Sequence, residues 1–393
     1  MTDRASGIYI HVPYCIRKCR YCDFVSFPKA PEDGYFEHLA LEIAAARKVV
    51  DYGKQYYVDT LFFGGGTPSL ASAAQLSKVL DAVRGSFELA DDAEISIEVN
   101  PETVTEKKAA ELKTLGFNRV SMGVQSLDDG VLSALDRVHS AYRARQAFGT
   151  LRDAGFDNIN LDLMFGTPRD TADGSRPVQD LETWHHTLDE IFAMKPEHIS
   201  FYSLQLEEDT PLWTDYRNGR AEIPTWEENR QMYRSALQQL KEHGYRHYEV
   251  SNAALPGFEC RHNIKYWTMQ PYLGFGVSAH SFLPVIADDG KLLGACRGET
   301  DWTEHDPLSW LQKETLKDLK GDFLFTQLRL IDGLDTGLYS QMFAADFAED
   351  FAQPLEKLTA EGFITSSEGR IALTAKGLDN TNPVMQELLY ALL

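Results

Sequence analysis

Strand-like and helix-like patterns alternate along the first 243 residues of this 393-residue chain, and that order restricts the folds it can adopt. Segments of helical periodicity separate six runs that are rich in β-branched and aromatic residues. Those runs lie at residues 7–12, 58–65, 93–99, 119–125, 158–166 and 198–206. The alternation predicts parallel βα units with right-handed crossovers, which build either an open doubly wound sheet or a barrel.

The ends of the predicted strands favour the barrel. Several strands finish in residues that are unusual for a plain connector, such as GGGTPS, EVNPE and GVQS, and the first strand leads directly into a cysteine-rich loop. Sites assembled from many successive strand ends are typical of barrels, because the C-terminal mouth gathers those ends around one axis. We therefore expect an α/β fold, a partial (β/α)6 TIM-like barrel that is open on one side.

The rest of the chain suggests two further units. Residues 244–300 lose the alternation and are rich in aromatic residues and glycines, so we expect an irregular segment that closes the open side of a 1–243 barrel. Residues 301–393 give a helical pattern and then two short alternating strands around a turn at SEG. This order predicts a mainly helical, winged-helix-like C-terminal domain, and its acidic stretch at 343–351 favours docking over DNA binding.

The acidic composition restricts the classes of partner. The chain has 59 Asp and Glu residues against 38 Lys and Arg residues, a formal charge of -21. Nucleic-acid binders carry a basic surface and anionic bilayers attract polybasic segments, so both are disfavoured as bulk partners. There is no apolar run of the roughly 18 residues that a membrane span needs, and residues 1–6 do not resemble a signal peptide. We expect a cytoplasmic protein.

Cys15, Cys19 and Cys22 form the most specific motif, C-x3-C-x2-C, directly after the first predicted strand. Thiolates are the usual ligands of iron-sulfur clusters. Three cysteines would bind three irons of a four-iron (4Fe-4S) cluster and leave the fourth iron open to an outside ligand. The motif therefore predicts a cluster with one iron available for chemistry.

A zinc site is the alternative. Structural zinc sites usually take four ligands as two paired elements, and Cys260 and Cys296 are not paired in that way. His11 could supply a fourth ligand, although a loop this short is poorly suited to wrap one tetrahedral ion. An odd count of five cysteines argues against a disulfide framework, and we expect Cys260 and Cys296 to be buried, inert thiols.

Glycines and polar residues at other strand ends would face the same mouth. GGGTP at 64–68 ends the second strand, and glycines there let the backbone approach a ligand closely. Strand ends also carry Glu98, Gln125 and Asp162, and the helix after the fourth strand carries Arg137. A carboxylate can accept from ribose hydroxyls or an ammonium group, and a guanidinium suits a carboxylate. Together these residues predict a polar ligand site beside the cysteines.

The cysteine spacing at this position resembles that of the radical S-adenosylmethionine (radical SAM) superfamily, and the resemblance covers residues 7–205. It implies that SAM chelates the open iron and that an electron from the cluster can cleave SAM to a 5′-deoxyadenosyl radical. YIHVPYC, GGGTPS, IEVNPE and GFNRVSMGVQS resemble more closely the branch that contains oxygen-independent coproporphyrinogen III dehydrogenase, where one or two SAM molecules bind. The resemblance implies that a first SAM contacts Tyr9, Gly65 and Glu98, and a second contacts Tyr21, Gly66, Thr67, Gln125, Arg137 and Asp162.

Two departures from the dehydrogenase pattern favour another group within this branch. Phe24 stands where the dehydrogenase has a further cysteine beside its cluster. Only eight residues precede Tyr9, whereas the dehydrogenase has a long N-terminal extension over its substrate. The ending CDF is similar instead to the HemW-type haem chaperones.

Residues 260–281 contain H-N-x-x-Y-W, a motif that typifies those chaperones and is implicated in their haem binding. Histidine and tyrosine are known haem-iron ligands, and aromatic rings supply an apolar wall for a porphyrin. The motif residues are His262, Asn263, Tyr266 and Trp267. Cys260 and His280 are further candidate iron ligands. The alternative is an aromatic patch that seals the barrel, with His262 hydrogen-bonded and no porphyrin.

The resemblance implies a haem chaperone that binds a 4Fe-4S cluster, SAM and haem and passes haem to haem-requiring proteins such as respiratory enzymes. It also implies a reductant for the cluster, a homodimer and peripheral association with the inner face of the membrane. We expect no coproporphyrinogen dehydrogenase activity and no nucleic-acid partner, and no catalytic residue is assigned. Three alternatives stay open: the dehydrogenase itself, a haem-degrading radical SAM methyltransferase, and a regulatory nucleic-acid binder that uses the C-terminal domain.

Overall fold

The structure is a computed structural model that describes residues 5–49, 57–170, 179–286, 292–299 and 312–392. The expected boundary between residues 300 and 301 lies outside these ranges. In the described residues, no helix has both the length and the apolar character to cross a membrane.

Six of the strands that pair in parallel in the main sheet lie at the positions that the sequence predicts. They are β1 (Ala5–Val12), β2 (Tyr57–Gly65), β3 (Leu89–Val99), β4 (Arg119–Gln125), β5 (Ile159–Phe165) and, after the short β6 (Arg169–Asp170), β7 (His198–Ser203). Each pairs in parallel with the next, so their carboxyl ends lie at one end of the sheet. The predicted α/β fold with a parallel sheet is confirmed.

Helices connect these strands, and the predicted helices have close to the lengths that the periodicity indicates. They are α1 (Asp33–Val49), α2 (Ala73–Ser86), α3 (Glu106–Leu115), α4 (Asp129–Ala134), α5 (Ala141–Asp153), α6 (Leu181–Met194), α7 (Pro211–Arg217) and α8 (Trp226–Glu242). Ser72 and Thr225 begin α2 and α8 with reciprocal capping boxes, which satisfy backbone N–H groups of the first turn. The short helices α4 and α7 are not among the predicted segments.

Alternation within the strands separates an apolar outside from a polar inside. On β4, Val120, Met122 and Val124 are buried in the main hydrophobic core. Arg119 and Ser121, which alternate with them along the strand, line a cavity inside the barrel. Because successive side chains of a strand point to opposite faces, one strand can serve both the core and a polar site.

The described part of residues 244–300 is regular, contrary to our expectation of an irregular segment, because it adds strands to both edges of the sheet. Its elements in order are β9 (Arg246–Glu249), β10 (Asn252–Ala254), α9 (Arg261–Trp267), β11 (Tyr272–Phe275), β12 (His280–Ile286) and β13 (Leu292–Glu299). Before this range, the short β8 (Ala221–Glu222) pairs with β6, and after it β14 (Gln312–Glu314) pairs with β13. β10 pairs antiparallel with β7, and β11 pairs parallel with β1. Among the described strands the sheet has twelve members, with β14 and β9 as its edges.

The C-terminal region is mainly helical, as predicted, and its hydrophobic cluster also takes in Phe282 on β12 and Leu292 and Ala295 on β13. Its elements are α10 (Leu316–Gln327), β15 (Leu334–Asp335), α11 (Thr336–Phe343), α12 (Phe347–Asp350), α13 (Ala352–Ala360), β16 (Ile364–Ser367), β17 (Arg370–Leu373), α14 (Ala375–Asp379) and α15 (Thr381–Tyr390). β16 and β17 form the predicted hairpin, and β15 pairs with β17 to complete a small sheet.

Candidate functional site

The cysteine loop follows β1 and is anchored on several sides. The backbone N–H of Cys15 donates to the carbonyl of Phe27 at 2.9 Å, and the N–H of Phe27 donates to the carbonyl of Pro13 at 2.7 Å. Arg20 is buried, and its Nη2 donates to Asp215 on α7 at 2.6 Å. These bonds hold the loop in one position at the carboxyl end of the sheet.

Cys15, Cys19 and Cys22 are free thiols, each half-buried, and all three line a cavity of about 450 Å³. The hydroxyl of Thr67 donates to the sulfur of Cys15, and Nη1 of Arg137 donates to the sulfur of Cys19, each at 3.6 Å. Hydrogen bonds to cysteine sulfur stabilise thiolates and tune iron-sulfur clusters. The structure therefore brings the three predicted ligands together and gives two of them donors.

The glycine run passes close to this loop. The N–H of Gly66 donates to the carbonyl of Val12 at 2.9 Å, and a Cβ on Gly66 would lie 2.6 Å from the carbonyl oxygen of Tyr14. Gly65 has a φ of 110°, which favours glycine. Its N–H donates to Oε2 of Glu98 at 3.0 Å. Both glycines line the cavity, so the backbone forms part of its wall.

The other predicted ligand residues reach the same cavity from separate strands and loops. They are Tyr21, Thr67, Glu98, Gln125, Arg137 and Asp162. Gln125 has a φ of 65° where the β4–β5 register shifts, and it accepts a hydrogen bond from the hydroxyl of Tyr202 at 2.9 Å. We expected Arg137 on a helix, but this was wrong, because α4 ends at Ala134. Nη2 of Arg137 donates to the carbonyl of Gly123 at 2.6 Å.

Two carboxyl groups in the cavity resist ionisation. Burial, reinforced by the charge of Asp162, raises the pKa of Glu98 to about 8. Burial also raises the pKa of Asp162, although hydrogen bonds from Asn160 and other neighbours oppose that rise. A carboxyl group that is neutral near pH 7 can donate a hydrogen bond, or it can ionise when a cationic ligand arrives.

The residues present fit a cluster better than a single metal ion. Among the described residues, no group of three or more His, Cys, Asp and Glu side chains is arranged to hold one ion. Each thiolate of a four-iron cluster binds a different iron, so its ligands do not have to converge on one point. His11, the fourth ligand in the zinc alternative, already donates from Nε2 to the carbonyl of Val25 at 2.8 Å and lies 3.2 Å from the hydroxyl of Tyr9.

A second cavity of about 220 Å³ lies deeper in the barrel. Four residues line both cavities, namely Glu98, Ser121, Asp162 and Ser200. Tyr9 faces the deeper cavity and does not line the upper one, which separates it from the other residues predicted to bind SAM.

Arg119 and Asn160 line the deeper cavity and were missed at the sequence level. Arg119 is 2% exposed, and its Nε has no hydrogen-bond partner among the described residues. The signal that could have found both residues is the polar half of the strand alternation, since RVSMGVQ and NINLDLM place polar residues at every second position.

His262 also lines this deeper cavity and is 1% exposed. Its Nδ1 lies 2.9 Å from the hydroxyl of Thr60, and its Nε2 lies 2.7 Å from the hydroxyl of Tyr266. Its ring stacks on Phe62 at 5.3 Å, and burial lowers its pKa to about 3. Both ring nitrogens therefore have hydrogen-bond partners. This is the arrangement expected for an aromatic patch that seals the barrel without a porphyrin.

The remaining candidate haem ligands are dispersed. Trp267 packs against the C-terminal region, where the guanidinium of Arg329 lies 4.5 Å from its ring. Burial raises the pKa of Cys260 to about 12, and its sulfur contacts Glu94 at 3.6 Å. His280 is exposed on β12. Cys260 is buried as predicted, whereas Cys296 is half-buried.

Two protein families match this chain, one in the barrel and one in the C-terminal region. Residues 9–174 match the Radical SAM superfamily, and residues 315–379 match the HemN C-terminal domain. The chain is 31% identical to heme chaperone HemW of Bacillus subtilis, over 94% of this chain and 95% of that protein. It is 37% identical to heme chaperone HemW of Synechocystis, over 95% and 88% of the two chains.

A solved structure has the same fold. It is coproporphyrinogen III oxidase (HemN) of Escherichia coli, described as a radical SAM enzyme, with a TM-score of 0.77. Its sequence is 22% identical, and the match covers 100% of this chain and 91% of that one. At 22% identity the likeness establishes the fold but not the activity, which has to be inferred from the residues of the site.

Proposed function

Because the chain belongs to the HemW family of the radical SAM superfamily, we propose that it is a haem chaperone. It binds haem and delivers it to haem-requiring proteins, respiratory enzymes among them. The relatives named heme chaperone cover nearly all of this chain, which supports carrying their role over. The single observation that carries the proposal within the site is the absence of a fourth cysteine at Phe24, a position that lines the cavity mouth.

The cluster site is proposed at Cys15, Cys19 and Cys22. Three half-buried thiols around one cavity support it, together with the donors from Thr67 and Arg137. Soft thiolate ligands select iron-sulfur clusters over hard cations. A bound cluster would supply one open iron, and an external reductant would set its charge state.

SAM is proposed to bind in the 450 Å³ cavity, a volume within the range of about 300–1,000 Å³ that small-molecule sites occupy. The walls offer the groups that SAM requires. Glu98 and Asp162 can accept from ammonium and ribose groups, Arg137 suits a carboxylate, and backbone at Gly65 and Gly66 allows close approach. When bound, SAM supplies either a methyl group or an adenosyl radical, and the side chains position and charge-balance it.

We retain as proposals a cytoplasmic location, a homodimer and peripheral association with the inner face of the membrane. His262 stays a candidate haem ligand, with the condition that its ring gives up one hydrogen bond to bind iron. Tyr266 and Trp267 would then form the aromatic wall.

An anaerobic comparison of two tetrapyrroles tests the proposed function. The cluster is reconstituted, and the protein receives either haemin or coproporphyrinogen III together with SAM and a reductant. A chaperone binds haemin in a fixed ratio, transfers it to an apo-haemoprotein and leaves coproporphyrinogen III unchanged. SAM-dependent loss of two carboxyl groups from coproporphyrinogen III would identify the dehydrogenase instead, and opened-ring products from haemin would identify the methyltransferase.

A further inference from the structure

Two large apolar side chains are exposed beside the proposed cluster site. Ile16 is 50% exposed and Phe24 is 64% exposed, although both belong to the loop that carries the three cysteines. Both line the mouth of the 450 Å³ cavity. Single exposed apolar residues are ordinary on a protein surface, but a pair at the rim of a cavity is typical of a binding surface.

Two cations flank this pair. Arg17 and Lys18 follow Ile16 directly and line the same mouth. Nζ of Lys18 donates to the carbonyl of Phe24 at 3.1 Å, and Nη2 of Arg17 donates to the carbonyl of Asp136 at 2.6 Å and lies 3.9 Å from the carboxylate of the same residue, an exposed ion pair that a propionate would have to compete with. The chain has a formal charge of -21, so two neighbouring cations beside exposed apolar side chains contrast with its overall negative charge. We call Ile16, Arg17, Lys18 and Phe24 the loop rim.

The loop rim is held in place before any ligand arrives. The backbone of Arg20 accepts from the N–H of Leu212 on α7 at 2.9 Å, and the Arg20 side chain binds Asp215. The Lys18 ammonium also fixes the backbone at Phe24. A preorganised surface loses little conformational entropy on binding, so its exposed rings can contribute most of their contact energy.

The composition of the rim fits a flat, apolar ligand with anionic groups along one edge. Haem has this character, since its macrocycle is apolar and its two propionates lie on one side. Aromatic and branched side chains would stack on the macrocycle, and guanidinium and ammonium groups would pair with the propionates. Asp23 and Glu207 also line the mouth and would disfavour propionates on their side, which orients the ligand.

The deeper cavity is a poor place for the same ligand. Its 220 Å³ lies below the range of about 300–1,000 Å³ that small-molecule sites occupy. A porphyrin with its propionates does not fit there unless α9 moves away from the barrel. Both nitrogens of His262 are also engaged in hydrogen bonds.

We propose that haem docks on the loop rim, with its macrocycle against Ile16 and Phe24 and its propionates towards Arg17 and Lys18. The inference rests on the proposed haem binding and changes where that haem lies. It places the tetrapyrrole over the mouth of the cluster cavity instead of at the H-N-x-x-Y-W motif. Phe24 is then part of the haem surface.

Titration of the cluster-loaded protein with two probes tests the location. The probes are haemin and metal-free protoporphyrin IX, both followed anaerobically by difference absorbance. The rim recognises the macrocycle and its propionates, so both probes bind it, whereas ligation at His262 requires iron. Phe24→Ser is expected to weaken both probes about tenfold, because one ring loses its apolar contact. Arg17→Gln with Lys18→Gln is expected to weaken both probes and to remove the salt dependence of binding.

Phe27→Ser is the matched control. Phe27 lies on the same loop and is 45% exposed, but it lines a neighbouring pocket with Tyr14 and Lys29 and does not line the cavity mouth. The control variant should bind both probes like the unaltered protein. Equal cluster absorbance in all variants establishes that the loop keeps its cluster.

Three outcomes overturn the inference. Unchanged affinity in Phe24→Ser, with binding abolished in His262→Ala, would place haem at α9 and leave the proposed chaperone function intact. A Phe24→Ser variant that changes oligomeric state by light scattering but binds haemin normally would make the rim an interface between copies of the chain. Failure of the unaltered protein to bind either probe would remove the proposed function itself.

Discussion

In the proposed SAM site, Glu98 should give SAM binding a dependence on pH. Burial and the charge of Asp162 raise its pKa to about 8, and the N–H of Gly65 holds one oxygen in place. A ligand with ammonium and sulfonium charges favours the ionised carboxylate. Below pH 8 that ionisation has to occur on binding, so SAM affinity should rise as the pH rises towards 8.

The pKa fixes the size of this effect. With a pKa of about 8, roughly 1% of Glu98 is ionised at pH 6 and roughly half at pH 8. If bound SAM keeps the group ionised throughout that range, the dissociation constant falls about 50-fold between pH 6 and pH 8. Equilibrium dialysis of SAM against cluster-loaded protein at pH 6, 7 and 8 measures it.

Two variants separate Glu98 from other titrating groups. Glu98→Gln should bind SAM more weakly at pH 8 and should lose most of the pH dependence. Glu42→Gln is the matched control, because burial raises the pKa of Glu42 to about 7 but the residue bonds to Gly276 and does not line the cavity. An equally steep dependence in Glu98→Gln, or tighter binding at low pH in the unaltered protein, would refute the reasoning.

Three further changes test other parts of the structure. Cys15→Ala should lose bound iron and cluster absorbance, while Cys296→Ala keeps both; normal loading of the first variant would contradict the ligand assignment. Gly66→Ala should lower the free energy of unfolding by about 1–3 kcal/mol, since its Cβ would meet a backbone carbonyl at 2.6 Å. Gly34→Ala, which has open space on α1, should be neutral or stabilising in the same urea titration. Burial lowers the pKa of His262 to about 3, so at pH 5 this residue is protonated in the unfolded chain but not in the folded one. Between pH 7.5 and pH 5, the free energy of unfolding of His262→Gln should therefore fall by about 2 kcal/mol less than that of the unaltered protein. An equal fall in the two proteins would contradict this.

The parts of the fold that the sequence predicts are those with strong local signals. β1 to β5 and β7 are long and apolar, and the helices between them show full turns of periodicity. The strands β9, β10 and β11 have three or four residues each, too few for a pattern to emerge. β10 and β11 take their strand conformation from pairing with β7 and β1, which are distant in sequence, and β9 pairs in turn with β10. Long-range pairing therefore explains why β10 and β11 were not predicted, whereas β12 and β13, which pair with each other, were missed despite their greater length.

The candidate site divides in the same way. The cysteine spacing and the glycine run identify the mouth, because their chemistry is local to one loop. The deeper cavity depends on side chains from different strands that face the same interior, such as Arg119 and Asn160. The alternation along a single strand shows which polar residues face the interior. It does not show which of them will meet across the barrel.

The H-N-x-x-Y-W motif has a structural task in this chain that its sequence does not reveal. His262 joins α9 to β2 through Thr60, and Tyr266 holds the other side of the same imidazole ring. The carbonyl of Trp267 accepts from Gln327 on α10 at 3.0 Å, while its ring packs under Arg329. The motif thus fastens the lower end of the barrel to the C-terminal region. A haem that displaced His262 would have to break its hydrogen bonds to Thr60 and Tyr266, whereas a haem on the loop rim leaves them intact. The free energy needed to move α9 away from the barrel therefore favours the rim.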